Sequence, residues 1–482
     1  MRNLEEIRNI IDTPLFHLVG DAADSLGNEC YVVGGYVRDL FLDRHSKDVD
    51  FLTVGSGIDL AKEVASRMKP RGKVNIFKNF GTAQVYGRRG EELEFVGARK
   101  ESYHRESRNP IVEDGTLEDD ISRRDFTINA MALKLNSAGF GDLVDMFGGL
   151  EDLHRKVIRT PLDPDITFSD DPLRMMRAIR FATQLKFSIS YETFEAIKRN
   201  AHRIEIISRE RIYVELTKIM ESSKPSIGWT LLLDSGLLAL ILPQLEAMQG
   251  VQTHHGRGHK DNFYHTMQVL DSVAQKSNDV WLRWAALFHD IAKPVTKRWV
   301  DGTGWTFHNH NFIGAKMIPS IFRALKFPMD EKMKFVSKMV ELHMRPIALV
   351  EETVTDSAVR RLAVDAGEDL DALMTLCEAD ITSKNSDKVK RYLENYIKVR
   401  EKIADLVARD NLRKWQPPVT GDDIMRTFGL SQGKIVGEIK QFVRESLLDS
   451  DTPNDPGLAR SLMLQKGKEL GLEPVDDTFR ES

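Results

Sequence analysis

The feature that most restricts this chain is a short β-type run that ends in paired glycines, followed by two aspartates in alternate positions. Tyr31 to Gly35 reads YVVGG and Asp48 to Phe51 reads DVDF. The first run predicts a strand closed by glycines, whose missing side chains let backbone N–H groups approach an anion closely. A helix beginning in GGYVRDLFL turns its positive end toward the same place and sets Arg38 one turn in, within reach of a phosphate. Gly34, Gly35 and Arg38 are therefore candidate nucleotide-binding residues. In the second run a period of two places Asp48 and Asp50 on one face of a strand. Two such charges on an otherwise apolar strand repel each other; a divalent cation relieves the repulsion, and Mg²⁺ takes oxygen ligands together with triphosphate oxygens. The alternative is a strand end with both carboxylates in water. Glu94, on the β-type run LEFVGA, offers the third acid that two-metal phosphoryl transfer uses at the attacking hydroxyl; its alternative is a glutamate at a strand edge.

With 482 residues the chain exceeds one hydrophobic core. Hydrophobic residues make up 41% and charged ones 29%, the balance of a folded globular protein rather than a disordered one. No apolar run reaches the roughly 18 residues that a membrane span needs, and the amino-terminal MRNLEEIRNIIDTPLFHLV reads as an amphipathic helix rather than a signal peptide. Two separated cysteines, Cys30 and Cys377, exclude a disulfide framework and fit a reducing cytoplasm. Four segments follow from the pattern. Residues 1–150 alternate β-type runs (also AQVYG from Ala83) with helical stretches such as IDLAKEVASRM from Ile58. Residues 151–248 and 249–385 are helical by period, the latter carrying eight of the 13 histidines. Residues 386–482 are helical and broken by Pro417, Pro418 and Gly421. The net charge of −5 hides two basic stretches: His154 to Lys218 has 13 Lys/Arg against 9 Asp/Glu, and Ser386 to Gln416 has 9 against 5. Each stretch suits a phosphate backbone or a solvated helix face.

Base choice has a physical basis in SDDPLRMMRAIRFATQL. Asp171 and Arg174 are predicted to share a face of a helix opened by Pro172. Asp only accepts hydrogen bonds and Arg only donates. The pair suits cytosine and adenine, which both present an amino donor beside a ring acceptor, and leaves uracil and guanine with unpaired groups. Arg177 and Arg180 continue that face and reach phosphate or base. In RRDFTINA, Asp125 and Asn129 lie one turn apart and are expected to brace the junction between segments or the ribose. Glu210, Arg211 and Glu215 are expected to fix the following helix.

The order GGYVRD, DVDF, ISRRDFTINAMAL, SDDPLRMMRAIRFATQL and RERIYVELTKI resembles the bacterial-type (class II) tRNA nucleotidyltransferase and poly(A) polymerase family over residues 25 to 245. The resemblance implies an α/β, polymerase-β-like nucleotidyltransferase head (1–150), an all-α neck for nucleotide recognition and RNA binding (151–248), an HD-type helical body (249–385) and a helical tail with a tRNA contact (386–482). It implies addition of CMP and AMP from CTP and ATP to the 3′ end of tRNA, with pyrophosphate released, Asp48, Asp50 and Glu94 as catalytic acids, Mg²⁺ on Asp48 and Asp50, and Arg124 on the triphosphate. CC-only, A-only and poly(A) addition are the alternatives within the family. The segment YHRESRNPIVEDGTL from Tyr103 is where nucleotide choice is expected to couple to the state of the tRNA. Further on, His265, the FHDIAKP pair His289 and Asp290, then His310, His343 and Asp380 are similar to the HD phosphohydrolase superfamily. Nitrogen and oxygen donors of this kind hold Ni, Mn, Co, Fe or Mg, and the added His310 and His343 match binuclear members. A separate reading makes the chain an HD phosphohydrolase whose head only binds RNA.

Overall fold

The computed structural model describes the chain except residues 47, 78–80, 88–91, 103–110, 252, 255, 256, 259, 260, 352–354, 382–385, 411, 413, 414 and 476–482. It separates into two compact units, Met1–Glu246 and Ala247–Ser482. The divisions expected near residues 150 and 385 fall inside these units.

The first unit is built on a seven-stranded mixed sheet. Its chain of strands runs β1 (Cys30–Val33), β2 (Val49–Thr53), β3 (Lys73–Phe77), β4 (Thr82–Tyr86) and β5 (Glu92–Gly97), then a separate hairpin of β6 (Arg99–Ser102) and β7 (Ile111–Asp114), then β8 (Ala132–Lys134) and β9 (Leu143–Val144). The spatial order is β3-β4-β5-β2-β1-β8-β9. β2 and β5 are parallel, and every other neighbour is antiparallel. β1 lies inside the sheet and all four of its residues are buried, which is why its run reads as continuously apolar. β4 alternates instead: Ala83 and Val85 are buried, while Thr82, Gln84 and Tyr86 are half-buried.

That alternation separates two faces. On one, the helices Pro14–Leu26 and Gly57–Arg67 cover the sheet, with Phe16, Phe51 and Phe95 in contact at ring separations of 5.8 and 5.1 Å. The opposite face carries a smaller core of Tyr31, Val33, Leu52, Ala98, Ile121, Ala130 and Ala132. Asp50, Glu94 and Gln84 are register partners on β2, β5 and β4 and share this second face, beyond the edge of its core. After β9 the unit is helical apart from a short parallel pair, Val157–Ile158 with Ser188–Ile189. The helices Leu173–Leu185 and Arg209–Met220 pack on each other, and Arg180 meets Glu215 across that contact at 2.8 Å.

The second unit is helical, with two short hairpins. Helices Asn262–Lys276, Val280–Phe288, His310–Leu325, Glu331–Leu342 and Leu370–Asp380 surround a histidine cluster. A buried ion pair of Arg360 and Asp410 (2.7 Å), with Arg360 also donating to the carbonyl of Ser450, ties the helices Asp356–Ala366 and Ser386–Asp410 to the end of Lys434–Asp449. Among the described residues no helix is long and apolar enough to cross a membrane.

Gly20 shows how tightly the helical layer sits on the sheet. A Cβ built there would lie 2.0 Å from the carbonyl oxygen of Leu135, a backbone atom that cannot rotate away. Gly20→Ala is expected to lower stability by about 1–3 kcal/mol, the cost of overpacking, measured by thermal or denaturant unfolding; unchanged stability would show that the layer yields.

Candidate active site and a buried metal-ligand cluster

β1 ends at Val33, and the chain turns at Gly34 with φ 77° and ψ −138° into the helix Gly35–Phe41. Only glycine adopts this backbone at little cost. Space demands glycine too, since a Cβ on Gly34 would stand 3.0 Å from Nη1 of Arg124 and 3.8 Å from Oδ2 of Asp50. The turn therefore brings an arginine and an acid against bare backbone.

Asp48 precedes β2 and Asp50 lies within it; both line a cavity of about 500 Å³ together with Gly34, Gly35 and Arg38. Burial raises the proton affinity of Asp50; the Arg124 charge opposes this, and Asp48 adds to it. Burial also raises that of Glu94, helped by Asp50, Glu92 and Asp48. The acids thus act on one another electrostatically, with Glu94 facing a second cavity that Asp50 also lines. Acidic oxygens held together against desolvation are a donor set that suits a hard divalent cation.

The same cavity is lined by an arginine array, with Arg38 and Arg124 against the glycine turn, and most of these guanidinium groups are braced. Arg38 bonds Asp39 through Nε (2.9 Å) and the side-chain oxygen of Asn129 through Nη1 (2.8 Å). Asn129 donates to Asp125 (3.0 Å), which accepts from Nε of Arg177 at 2.7 Å. This chain of contacts joins the glycine turn to the helix Leu173–Leu185. Burial would raise the Asp125 carboxyl, but the Arg177 charge and the bonds from Asn129 and Arg177 prevail and hold it at about 2. Arg124 pairs with fully buried Asp120 (3.0 Å), which Arg123 shares. Arg38, Arg177 and Arg180 also surround the ring of Phe181, at 5.0, 5.4 and 4.2 Å, a cation–π arrangement that fixes their spacing.

Asp171 departs from its expected place. The helix begins at Leu173 with Pro172 at its cap, and Asp171 sits before it in extended conformation, closing the helix Pro164–Asp170. Its Oδ1 accepts from the N–H of Leu173 at 3.2 Å. Proline fixes the first helical turn and leaves the preceding residue extended, so Asp171 and Arg174 do not share a helix face. They line the same cavity nonetheless, with Arg174 anchored on the carbonyl of Arg123 (2.8 Å). Arg211, expected only to fix a helix, lines the cavity too. The bracing acids Asp39 and Asp120 were not among the predicted site residues. Asp120 stands three and four residues before Arg123 and Arg124, a helical spacing from which that pairing was readable. Of the segment expected to couple nucleotide choice to tRNA, residues 103–110 lie outside the described residues.

In the second unit the structure brings together all six predicted HD residues. Nε2 of His265 is 2.8 Å from Asp380, that of His289 is 3.2 Å from Asp290 Oδ2, and that of His310 is 3.2 Å from Asp290 Oδ1. His343 Nε2 stands 3.3 Å from that of His310. Three rings turn Nδ1 to a backbone carbonyl: His289 to Ala286 (2.7 Å), His310 to Phe307 (2.8 Å) and His343 to Val340 (2.7 Å). An Nδ1–H donated to a carbonyl leaves Nε2 with its lone pair, the arrangement that orients metal-bound imidazoles. Two triads, His265–His289–Asp290 and Asp290–His310–His343, have donor atoms within 4.8 Å of one another, and Asp290 belongs to both. Burial opposes charge on His289 and His265, yet Asp290 and Asp380 pull His289 upward. The buried carboxylates therefore favour positive charge among them, which a divalent metal supplies. His308 is exposed.

Because Asp290 is common to both triads, Asp290→Asn is expected to remove bound metal from both, and His265→Ala from the first alone. Metal per chain, measured by elemental analysis after loading with Mn²⁺ or Ni²⁺ and gel filtration, checks this. Wild-type content in Asp290→Asn would refute the shared ligand.

Comparison with known proteins agrees with this layout. The family described as Poly A polymerase head domain matches residues 30–159, that described as Probable RNA and SrmB- binding site of polymerase A matches 186–249, and the HD domain matches 262–385. The chain is 33% identical to the A-adding tRNA nucleotidyltransferase of Deinococcus radiodurans, over 68% of this chain and 75% of that protein. It is 34% identical to the Multifunctional CCA protein of Xanthomonas campestris pv. campestris, over 73% and 84%. Identity to the A-adding tRNA nucleotidyltransferase of Aquifex aeolicus is 47%, over 35% of this chain and only 20% of that protein's length. An apo CCA-adding enzyme shares the fold, with a TM-score of 0.63 over 97% of both chains at 21% identity. The acids beside a glycine turn and the arginines that line the same cavity thus lie in a chain that belongs to the tRNA nucleotidyltransferase family, with an HD domain further along it.

Proposed function

We propose that the chain extends the 3′ end of tRNA with CMP and AMP drawn from CTP and ATP, releasing pyrophosphate. The observation that carries this reading is one cavity lined both by Asp48, Asp50 and the glycine turn and by Asp171 and Arg174. Backbone at Gly34 and Gly35, with Arg38 and Arg124, receives the triphosphate. Asp171 accepts from the exocyclic amino group of C or A, and Arg174 donates to the adjacent ring nitrogen; U and G would leave both unpaired. Arg177 and Arg180, locked by Asp125 and Glu215, hold the reading surface rigid. Asp48, Asp50 and Glu94 would hold Mg²⁺, which when bound lowers the pKa of the attacking hydroxyl and stabilises charge on the leaving group. The rest is positioning, the main resource in phosphoryl transfer. The four functional parts expected from sequence are retained, as is a cytoplasmic location. The HD cluster would hold a divalent transition metal or Mg²⁺ and hydrolyse phosphoesters at RNA ends.

The names of the Deinococcus and Aquifex relatives favour a second reading, addition of A alone. Incubation with Mg²⁺, single labelled triphosphates and tRNA truncated before or within its 3′ end separates the two. C followed by A on the fully truncated tRNA is expected. Incorporation of A only, on tRNA already ending in CC, selects the A-adding reading; no incorporation leaves the RNA-binding head. Asp171→Ala is expected to admit U and G while metal binding persists. Continued rejection of both bases would sink the role given to Asp171 and Arg174.

A further inference from the structure

Two cavities meet at Asp50, Arg123 and Arg124, and their other walls differ in kind. The first holds the glycine turn and the base-reading residues. The second, of about 550 Å³, holds Glu94 and a stretch of open sheet, a volume within the usual range for small-ligand sites. In-line transfer sets the attacking oxygen and the leaving pyrophosphate on opposite sides of the α-phosphate. With the triphosphate in the first cavity, the hydroxyl must arrive from the second.

The floor of the second cavity follows from register. Glu94 pairs with Gln84, Val96 with Thr82, and Thr82 with Phe77, so these side chains share one face. Ala83 and Phe95 on the opposite face are buried, whereas the edge strand β3 is open on both faces, with Ile76 39% and Phe77 42% exposed, and Phe77 lines the cavity. An aromatic ring open to solvent at the rim of a cavity that also holds arginines is a surface on which a nucleobase stacks while its phosphate meets a cation. Arg99 and Arg123 supply that charge.

We infer that the second cavity holds the terminal nucleotide of the acceptor RNA, its base stacked on Phe77 and its 3′-hydroxyl turned toward Glu94 and Asp50. This rests on the nucleotidyl-transfer reading of the acids, but its test does not need turnover. An acceptor RNA carrying 2-aminopurine at its 3′ terminus changes fluorescence when that base stacks. The wild-type chain gives this change on binding; Phe77→Ala loses it, and Phe77→Tyr keeps it. With ATP and unmodified tRNA ending in CC, Phe77→Ala raises the KM for tRNA on the order of tenfold and leaves the KM for ATP unchanged. An acceptor with an abasic 3′ terminus shows no difference between wild type and Phe77→Ala. A fluorescence change retained in Phe77→Ala overturns the assignment, as does an unchanged KM for tRNA or an equal loss on the abasic acceptor. A wild-type chain that stacks the terminal base but transfers no nucleotide would refute the nucleotidyl-transfer reading and leave the binding site standing.

Discussion

Like charges held together against burial organise the first unit. Asp50 and Glu94 come from adjacent strands, with exposed Asp48 just before β2, and both Asp50 and Glu94 have raised proton affinity because water is excluded and the neighbouring acids repel them. A folded chain keeps such a group only where something else needs it. The sheet supplies the means: the parallel pairing of β2 and β5 sets Asp50 directly beside Glu94, and the glycine turn after β1 lets Arg124 and Asp50 approach the backbone. Removing the turn's glycine would separate the parts without touching any charged residue.

The arginines that line the same cavity raise the opposite problem, since unbraced guanidinium groups would repel one another and sample many rotamers. Four of them are tied to buried or half-buried side chains: Arg38 to Asp39 and Asn129, Arg124 to Asp120, Arg177 to Asp125, Arg180 to Glu215. The Phe181 ring spaces three of them. Such pairs add little net stability, because desolvation offsets attraction. Their effect is to make the cavity wall rigid before substrate arrives, which lowers the ordering cost on binding. The HD cluster uses the same device with backbone carbonyls, which fix three imidazoles so that Nε2 faces inward.

Much of this was legible in sequence because the relevant signals are local. Strand runs ending in glycine, acids at alternate positions and a histidine–aspartate pair on a helix are set by backbone period, and the structure places those residues together. What was not legible depended on tertiary contact or on one local detail. Glu215 meets Arg180 from another helix, and nothing in the spacing announces it. Asp171 lies off the helix because proline restrains the residue before it, a rule present in the sequence that the face argument overrode. Gln84 beside Glu94, and Phe77 beside Thr82 on the same face, became visible only through strand register. Arg211 reaches the cavity through helix packing rather than through any motif of its own.

The account stands on divalent-cation binding by the acids of β2 and β5. Calorimetric titration of Mn²⁺ into the wild-type chain and Asp50→Asn, each saturated with a non-hydrolysable ATP analogue and with the HD site silenced by Asp290→Asn, isolates that term. The wild-type head should bind the metal and Asp50→Asn should not, with nucleotide incorporation lost in parallel. Equal metal binding by both, with incorporation intact, would contradict the account at its base.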